Sequence, residues 1–344
     1  MAQVVERPLW EREVPGSSPG APKDFMMSAF DSLSVFNKVH TSSDVESMTM
    51  VDGIRAAVSH PQKAPFEFSS LVLSANLGVF FDGCVLLEVQ VSPNGRRWSP
   101  FFKLGMVSEM FQQSFPDQAN EWGLVKIDEL VLVKPMRYYR LRVRMEGEVP
   151  LLSLGVSGVR VPFEYQPEKA EVLPAGSFKQ EVWPISQKEQ DLPDNLRICS
   201  PTALCMALNA LGRPIVLSQV LQNVYDPAAD IFGNWFFNTA YASQQGLDVH
   251  FRRFSSLTEL ADHCTPESLV IASIAYEENE LPGAPQKQTP GHLVLIRGYK
   301  DGKILVADPA GETAAHVLCA YDAKPFARAW LCNKKGAAYL LRKR

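Results

Sequence analysis

Asn195-Leu196-Arg197-Ile198-Cys199-Ser200-Pro201-Thr202-Ala203-Leu204-Cys205-Met206-Ala207-Leu208-Asn209-Ala210-Leu211-Gly212 is the stretch on which the reading of this chain turns. Pro201 suits the first turn of a helix. Ala203, Leu204, Met206, Ala207, Leu208, Ala210 and Leu211 continue it as an apolar run, and Gly212 ends it. Cys199 then sits at or just before the helix N-terminus. Unpaired backbone N–H groups and the positive end of the helix dipole favour a thiolate there, which is the nucleophilic form of the side chain. Free cysteine is also a common buried residue, so the position acquires chemical meaning only with a partner base.

A partner base stands downstream in Thr289-Pro290-Gly291-His292-Leu293-Val294-Leu295-Ile296-Arg297-Gly298-Tyr299. This run predicts a strand opening at His292, Asp301-Gly302 a hairpin turn, and Lys303-Ile304-Leu305-Val306-Ala307-Asp308 the returning strand. In a simple register His292 and Asp308 face each other across the open end of that hairpin. A carboxylate beside an imidazole fixes its tautomer, and the imidazole can take a thiol proton and return it to a leaving amine.

Cys199-Ser200-Pro201-Thr202-Ala203-Leu204, Gly291-His292 and Asp308-Pro309 together resemble the C39-like family of papain-like cysteine peptidases. The resemblance runs from about Trp183 to the C-terminus. Gly233-Asn234-Trp235-Phe236-Phe237-Asn238-Thr239-Ala240-Tyr241-Ala242 is similar to a segment of stand-alone bacterial members. The resemblance implies an α+β papain-like domain, with Cys199 as nucleophile, His292 as base and then acid, Asp308 orienting His292, no cofactor, and a peptide or protein substrate. It also implies an upstream glutamine that donates to the oxyanion together with the Cys199 backbone N–H. Gln187 is the expected residue and Gln190 its competitor, because the spacing to Cys199 is longer than in the shortest members and the intervening loop must bulge. Acyl transfer to an amine is an alternative with the same chemistry. The other alternative is an inactive protein whose N-terminal part binds a glycan or a protein partner.

Composition fits this reading. The chain has 344 residues, 46% hydrophobic and 21% charged, enough for two domains with their own cores. A formal charge of -4, with no basic cluster longer than Arg342-Lys343-Arg344, argues against a nucleic-acid binder. The six cysteines form no Cys-x-x-Cys pair and no zinc-like spacing with histidine, so no metal is expected. His250, His263 and His316 are read as structural or exposed. Glu6, Glu11 and Arg12 interrupt any leader-like start, which predicts a cytoplasmic protein, or a secreted one if a leader is missing. Asn76, Asp82 and Glu88 break the most apolar run, so no membrane span is expected.

Taken in order, residues 1–24 carry Pro8, Pro15, Pro19 and Pro22 and predict an extended arm. Residues 25–166 predict an all-β antiparallel sandwich, jelly-roll-like, with strands at 66–73, 85–91, 124–132 and 138–145 and a turn at Pro93-Asn94-Gly95. Trp98, Phe101, Phe102 and Trp122 are candidates for stacking on a sugar ring, although packing explains them equally well. Residues 167–176 read as a polar, proline-rich linker, and 177–344 as the papain-like domain. On that division a chain starting near Ala175 folds and cleaves short peptides. Within the second domain the expectations are a strand-like segment at Val182–Gln187 and helices near Leu217–Val224 and Gly233–Gln245, the latter's aromatic residues packed behind the nucleophile helix. Beyond them come a strand at Val249–Phe254, a helix at Ser256–His263, a strand at Ser268–Ala275, a loop over 277–290 bordering the cleft, a helix over Tyr321–Trp330 and a last strand at Ala337–Leu341.

Overall fold

The computed structural model describes residues 34–51, 54–193 and 195–344. The arm expected over 1–24 and the first residues of the expected sandwich lie outside the described residues. The first half of the chain is built from strands β1 (Val35–His40), β2 (Val45–Val51), β3 (Ile54–Ser59), β4 (Gln62–Leu77), β5 (Gly83–Ser92), β6 (Phe102–Ser108), β7 (Gln112–Gln113), β8 (Gly123–Lys126), β9 (Glu129–Gly147) and β10 (Leu151–Val159). They form one antiparallel sheet in the order β1-β10-β4-β9-β5-β6-β7, with β3 and β8 also paired to β9 and β2 to β3. Alternation in β9 sends Leu130, Tyr139, Leu141, Val143 and Met145 into a core with Phe68, Leu71, Val85, Leu87, Val89 and Phe102.

One expectation for this half changes. The run 124–132 is not one strand. It folds back at Ile127 (φ 58°) and Asp128, so that Leu124, Val125 and Lys126 pair with Val131, Leu130 and Glu129. The turn at Ile127-Asp128 carries neither Gly nor Pro and lies inside a largely apolar run, so the sequence hides it. Of the aromatic candidates, Phe102 is in the core, and the guanidinium groups of Arg140, Arg97 and Arg142 lie over half-buried Trp98, Trp122 and Phe101 at 5.0, 5.1 and 3.9 Å.

The second half adds α1 (Pro167–Ala170), β11 (Phe178–Lys179), α2 (Cys199–Ala210), α3 (Leu217–Val224), α4 (Trp235–Gln244), β12 (Leu247–Arg253), α5 (Leu257–Asp262), β13 (Ser268–Tyr276), β14 (Thr289–Lys300), β15 (Lys303–Ala307), α6 (Ala314–Val317), β16 (Leu318–Asp322), α7 (Ala323–Ala327) and β17 (Ala337–Lys343). Its antiparallel sheet has the order β12-β17-β13-β14-β15-β16, with β11 on β14. Leu269, Ile271, Leu293 and Leu295 pack on α2, whereas Val270, Ala272, Val294 and Ile296 pack on the side of α5, α7 and Trp330. No strand covers Val182–Gln187; the short strand falls earlier, at Phe178–Lys179. Pro184 lacks the N–H that a paired strand would need. Tyr321 belongs to β16, and the helix expected over Tyr321–Trp330 begins only at Ala323.

Residues 167–176 are laid onto the second sheet. Ala170 is buried with Leu257 and Phe326 in its core, Arg328 Nε donates to Glu171 Oε1 at 3.0 Å, and Thr258 Oγ1 donates to the Val172 carbonyl at 3.0 Å. The two halves meet along α4. Phe236, Phe237 and Ala240 insert into the core of the first sheet, while Tyr241 and Ala242 pack with α2. The expectation that all the aromatic residues of this helix lie behind the nucleophile helix is therefore corrected: the helix is apolar on two faces and each face is buried against a different sheet. Asp128 Oδ2 accepts from the backbone N–H of Trp235, at the start of α4. Asn76, fully buried, accepts from Val249 N–H at 2.7 Å and donates towards Asp248 Oδ1 at 3.1 Å. Among the described residues no helix is long and apolar enough to cross a membrane.

Candidate active site

Cys199 is the first residue of α2. Thr202 returns its hydroxyl to the Ile198 carbonyl at 2.7 Å, and Gly212 (φ 80°) lies just past Leu211 at the other end, as a left-handed stop requires. The next residue, Ser200, is buried and held from two sides: its hydroxyl donates to Asn238 Oδ1 of α4 at 3.0 Å and lies 3.2 Å from the Tyr339 hydroxyl of β17. Helix α2 is thus pinned at its N-terminal turn by two other elements.

The hairpin that carries the histidine turns at Asp301 (φ 50°) and Gly302 (φ 74°), with Lys300 opposite Lys303. A bulge between Ile296 and Gly298 shifts the register so that Leu295 pairs with Ala307, and β14 begins at Thr289, before His292. Asp308 lies one residue past β15 and is not the register partner of His292. The side chains nevertheless meet, His292 Nε2 and Asp308 Oδ1 being 2.7 Å apart. Asp308 is fully buried and every part of it is used: Oδ1 also accepts from Ala310 N–H at 2.9 Å, Oδ2 accepts from the Tyr321 hydroxyl at 2.6 Å, and its own N–H donates to Val317 at 2.8 Å.

This geometry leaves His292 Nδ1 for the thiol. Burial raises the Cys199 pKa, but the hydrogen bond and charge of His292 and the backbone at Leu293 outweigh it, and the thiol falls below its ordinary value. Burial alone would push the His292 imidazolium down; the charge and hydrogen bond of Asp308, with Cys199, push it well up instead. The Asp308 carboxyl is likewise held below its usual value against burial, through His292, Tyr321 and Ala310. The three groups together favour thiolate, imidazolium and carboxylate.

Gln187 is fully buried, and its backbone N–H donates to the Pro309 carbonyl at 2.9 Å, next to Asp308. Neither atom of its side-chain amide has a hydrogen-bond partner among the described residues. Gln190, the competitor, spends its amide N–H on the Ser186 carbonyl at 2.8 Å. The bulging loop is stitched down along 309–314: Ser186 Oγ donates to Gly311 O, Lys188 pairs with Glu312, and Glu189 Oε2 accepts from Ala314 N–H at 2.8 Å. Sequence reasoning missed Tyr321, Tyr339 and Asn238. Tyr321 comes from the neighbouring strand β16 and the other two from distant elements, and no spacing in the chain marks any of them.

The remaining candidates are placed elsewhere. Cys205 is buried further along α2, its thiol pushed up to about 11 by burial. His250 and His263 are buried, the first beside Asn76 and the second edge-on to Phe254. The loop over 277–290 buries Leu281 in the second core, and Gln286 accepts from the Tyr276 hydroxyl.

Residues 179–338 match the model of the Peptidase_C39 like family. That part of the chain, a little under half of its length, is similar to members of this family. Solved structures similar to part of the chain include a double glycine motif protease from an AMS/PCAT transporter in complex with the leader peptide, at 18% identity over 50% of this chain and 97% of that one, with a TM-score of 0.36. Another is the peptidase domain of Streptococcus ComA, a bi-functional ABC transporter involved in quorum sensing, at 13% identity over 48% of this chain and 99% of that one, with a TM-score of 0.33. No curated protein matches the chain.

Proposed function

We propose that the chain is a cysteine peptidase, or a closely related thiol-dependent amide hydrolase, whose catalytic unit is Cys199, His292 and Asp308. The observation that carries this reading is the buried His292–Asp308 pair at 2.7 Å, set against a cysteine at the first position of a helix. In this mechanism the thiolate attacks a peptide carbonyl, His292 passes the proton to the leaving amine, and Asp308 keeps the imidazole in the tautomer with Nε2 protonated. Gln187 donates its idle amide N–H to the oxyanion, with the Cys199 backbone N–H as second donor. The reading includes a division of the chain into a β-sandwich over 25–166, a connecting segment over 167–176 and the catalytic unit over 177–344.

Covalent labelling tests it. Iodoacetamide at neutral pH is expected to alkylate Cys199 selectively, and Cys199→Ala to abolish both labelling and cleavage of a peptide library. Cys205→Ala should leave both within about threefold of the parent, because its raised thiol carries little thiolate. Equal labelling of the two variants would remove Cys199 from its role.

A further inference from the structure

At the end of the second sheet that bears His292, three basic residues gather where β12 ends and β17 begins, while Glu277, Glu278 and Glu280 follow the end of β13. There β12 ends at Arg253, paired with Ala337 at the start of β17, and β14 begins at Thr289. The turn leading into β17 contains Lys334 and Lys335. Lys334 reaches across to β14: its ammonium donates to the Pro290 carbonyl at 3.2 Å and lies 3.5 Å from where a side chain on Gly291 would begin. Pro290 and Gly291 are exposed, so this ammonium, half-buried itself, stands at the surface immediately beside the residue that precedes His292.

The local charges do not balance. Arg253 and Lys335 act on Lys334 as like charges, and Glu129 is the one acid that acts on it appreciably. Glu129 is already engaged, accepting from the Ser70 hydroxyl at 2.6 Å and from Arg253 Nη2 at 3.2 Å. Among the described residues neither Lys334 nor Lys335 has a carboxylate within ion-pair distance. Burial and like charge both depress the ammonium pKa of Lys334 and Lys335, the expected response of cations short of a counter-charge. A carboxylate brought to this spot would gain charge-assisted hydrogen bonds from the Lys334 N–H groups beyond the one that Pro290 accepts.

We propose that Lys334, with Lys335 and Arg253 behind it, forms a subsite that binds a carboxylate of the substrate close to the scissile bond. This deepens the peptidase reading and rests on it. The carboxylate is either an acidic side chain within two residues of the cleaved bond or the C-terminus of a short leaving fragment. In both cases the ammonium selects for negative charge in the ground state and the transition state alike, so its effect falls on KM more than on kcat.

The test uses the full chain and a library of N-acetylated decapeptides, made once with amidated and once with free C-termini, with cleavage sites read by mass spectrometry. Parent protein should show Asp and Glu enriched near the cleaved bond of the amidated peptides if a side chain is the ligand, and cleavage near free C-termini only if the terminal carboxylate is. Lys334→Glu should lower kcat/KM for a Glu-containing peptide about tenfold relative to its Gln counterpart, mainly through KM, and turn the preference towards Lys. Lys300→Glu, an exposed site in the turn at the far end of β14, should keep the parent preference. Protection of Cys199 from iodoacetamide by Glu- and Gln-containing peptides gives the same comparison without turnover. Failure of iodoacetamide to label Cys199 would bring down the peptidase reading itself. A reactive Cys199 with no acid preference, or a preference that survives in Lys334→Glu, would overturn the subsite alone.

Discussion

Asp308 shows how one residue sets the electrostatics of its surroundings. With no solvent to stabilise it, its charge rests on His292, Tyr321 and the Ala310 N–H. Replacing it by Asn keeps an oxygen that can accept from His292 Nε2 but removes the charge that holds the imidazolium up. Asp308→Asn is expected to keep about 1–10% of the parent rate of thiol alkylation, while His292→Ala matches the loss in Cys199→Ala. The pair also ties stability to pH. His292 is raised to about 10, so its contribution is complete below the ordinary imidazole value near 6.5 and is lost as pH climbs from there through about 10. Asp308 is lowered, so its contribution is complete above the ordinary carboxyl value near 3.9 and is lost as pH falls through the folded value. The difference in Tm between the parent and the His292→Ala, Asp308→Asn double variant should therefore be widest from about pH 4 to 6.5 and shrink towards pH 10. A difference that grew with pH above 7 would contradict the raised imidazole.

At the scale of elements, α4 is the one whose placement decides most. Its N-terminus is held by the Asp128 carboxyl, which burial pushes up to about 8, against the opposing pull of the Trp235 N–H. A carboxyl raised in the folded state favours folding most below its unfolded value near 3.9, and that advantage drains away as pH rises through about 8. Asp128→Asn keeps an acceptor for Trp235 and has no charge to bury. Its Tm relative to the parent should climb between pH 5 and 8, and a flat difference would show that the carboxyl is not strained by its surroundings. These partners explain what the sequence could and could not reveal. Cys199, His292 and Asp308 were readable because helix start, strand and hairpin turn are local patterns, each carried by Pro201, the 289–299 run or Asp301-Gly302. The face that Phe236 and Phe237 choose was not, because a helix that is apolar on two faces can set either one against either sheet. The hairpin at Ile127-Asp128 stayed hidden because its turn carries neither Gly nor Pro and sits between two apolar stretches, Leu124-Val125 and Leu130-Val131-Leu132.

Across the whole molecule, the contacts along α4, Asn76 and Arg253 change what is expected of truncation. A chain starting near Ala175 would lose the core that covers Phe236, Phe237 and Ala240, and the acceptors of the Trp235, Val249 and Arg253 N–H groups. Uncovering two buried phenylalanines costs on the order of 3–6 kcal/mol before any hydrogen bond is counted, a large part of the stability of an ordinary domain. Such a chain is expected to aggregate or to melt at least about 10 °C below the full protein, in contrast with the independent folding that a polar linker suggested. A soluble fragment with unchanged Tm would show that the second half closes α4 by itself.

The double burial of α4 also bears on how the proposed catalytic unit could be moved or redesigned. At Gly105 of β6 an added Cβ would stand 2.6 Å from the Phe236 ring, so the first sheet is fitted to this helix at the level of single atoms. A recombinant chimera that paired residues 177–344 with a foreign N-terminal part would need a donor surface shaped for the same two rings, or a recoloured helix face with polar residues in their place. Substitutions on the two sides of this seam are thus expected to be inherited as sets, and the reactive thiol travels with them through the Ser200–Asn238 hydrogen bond.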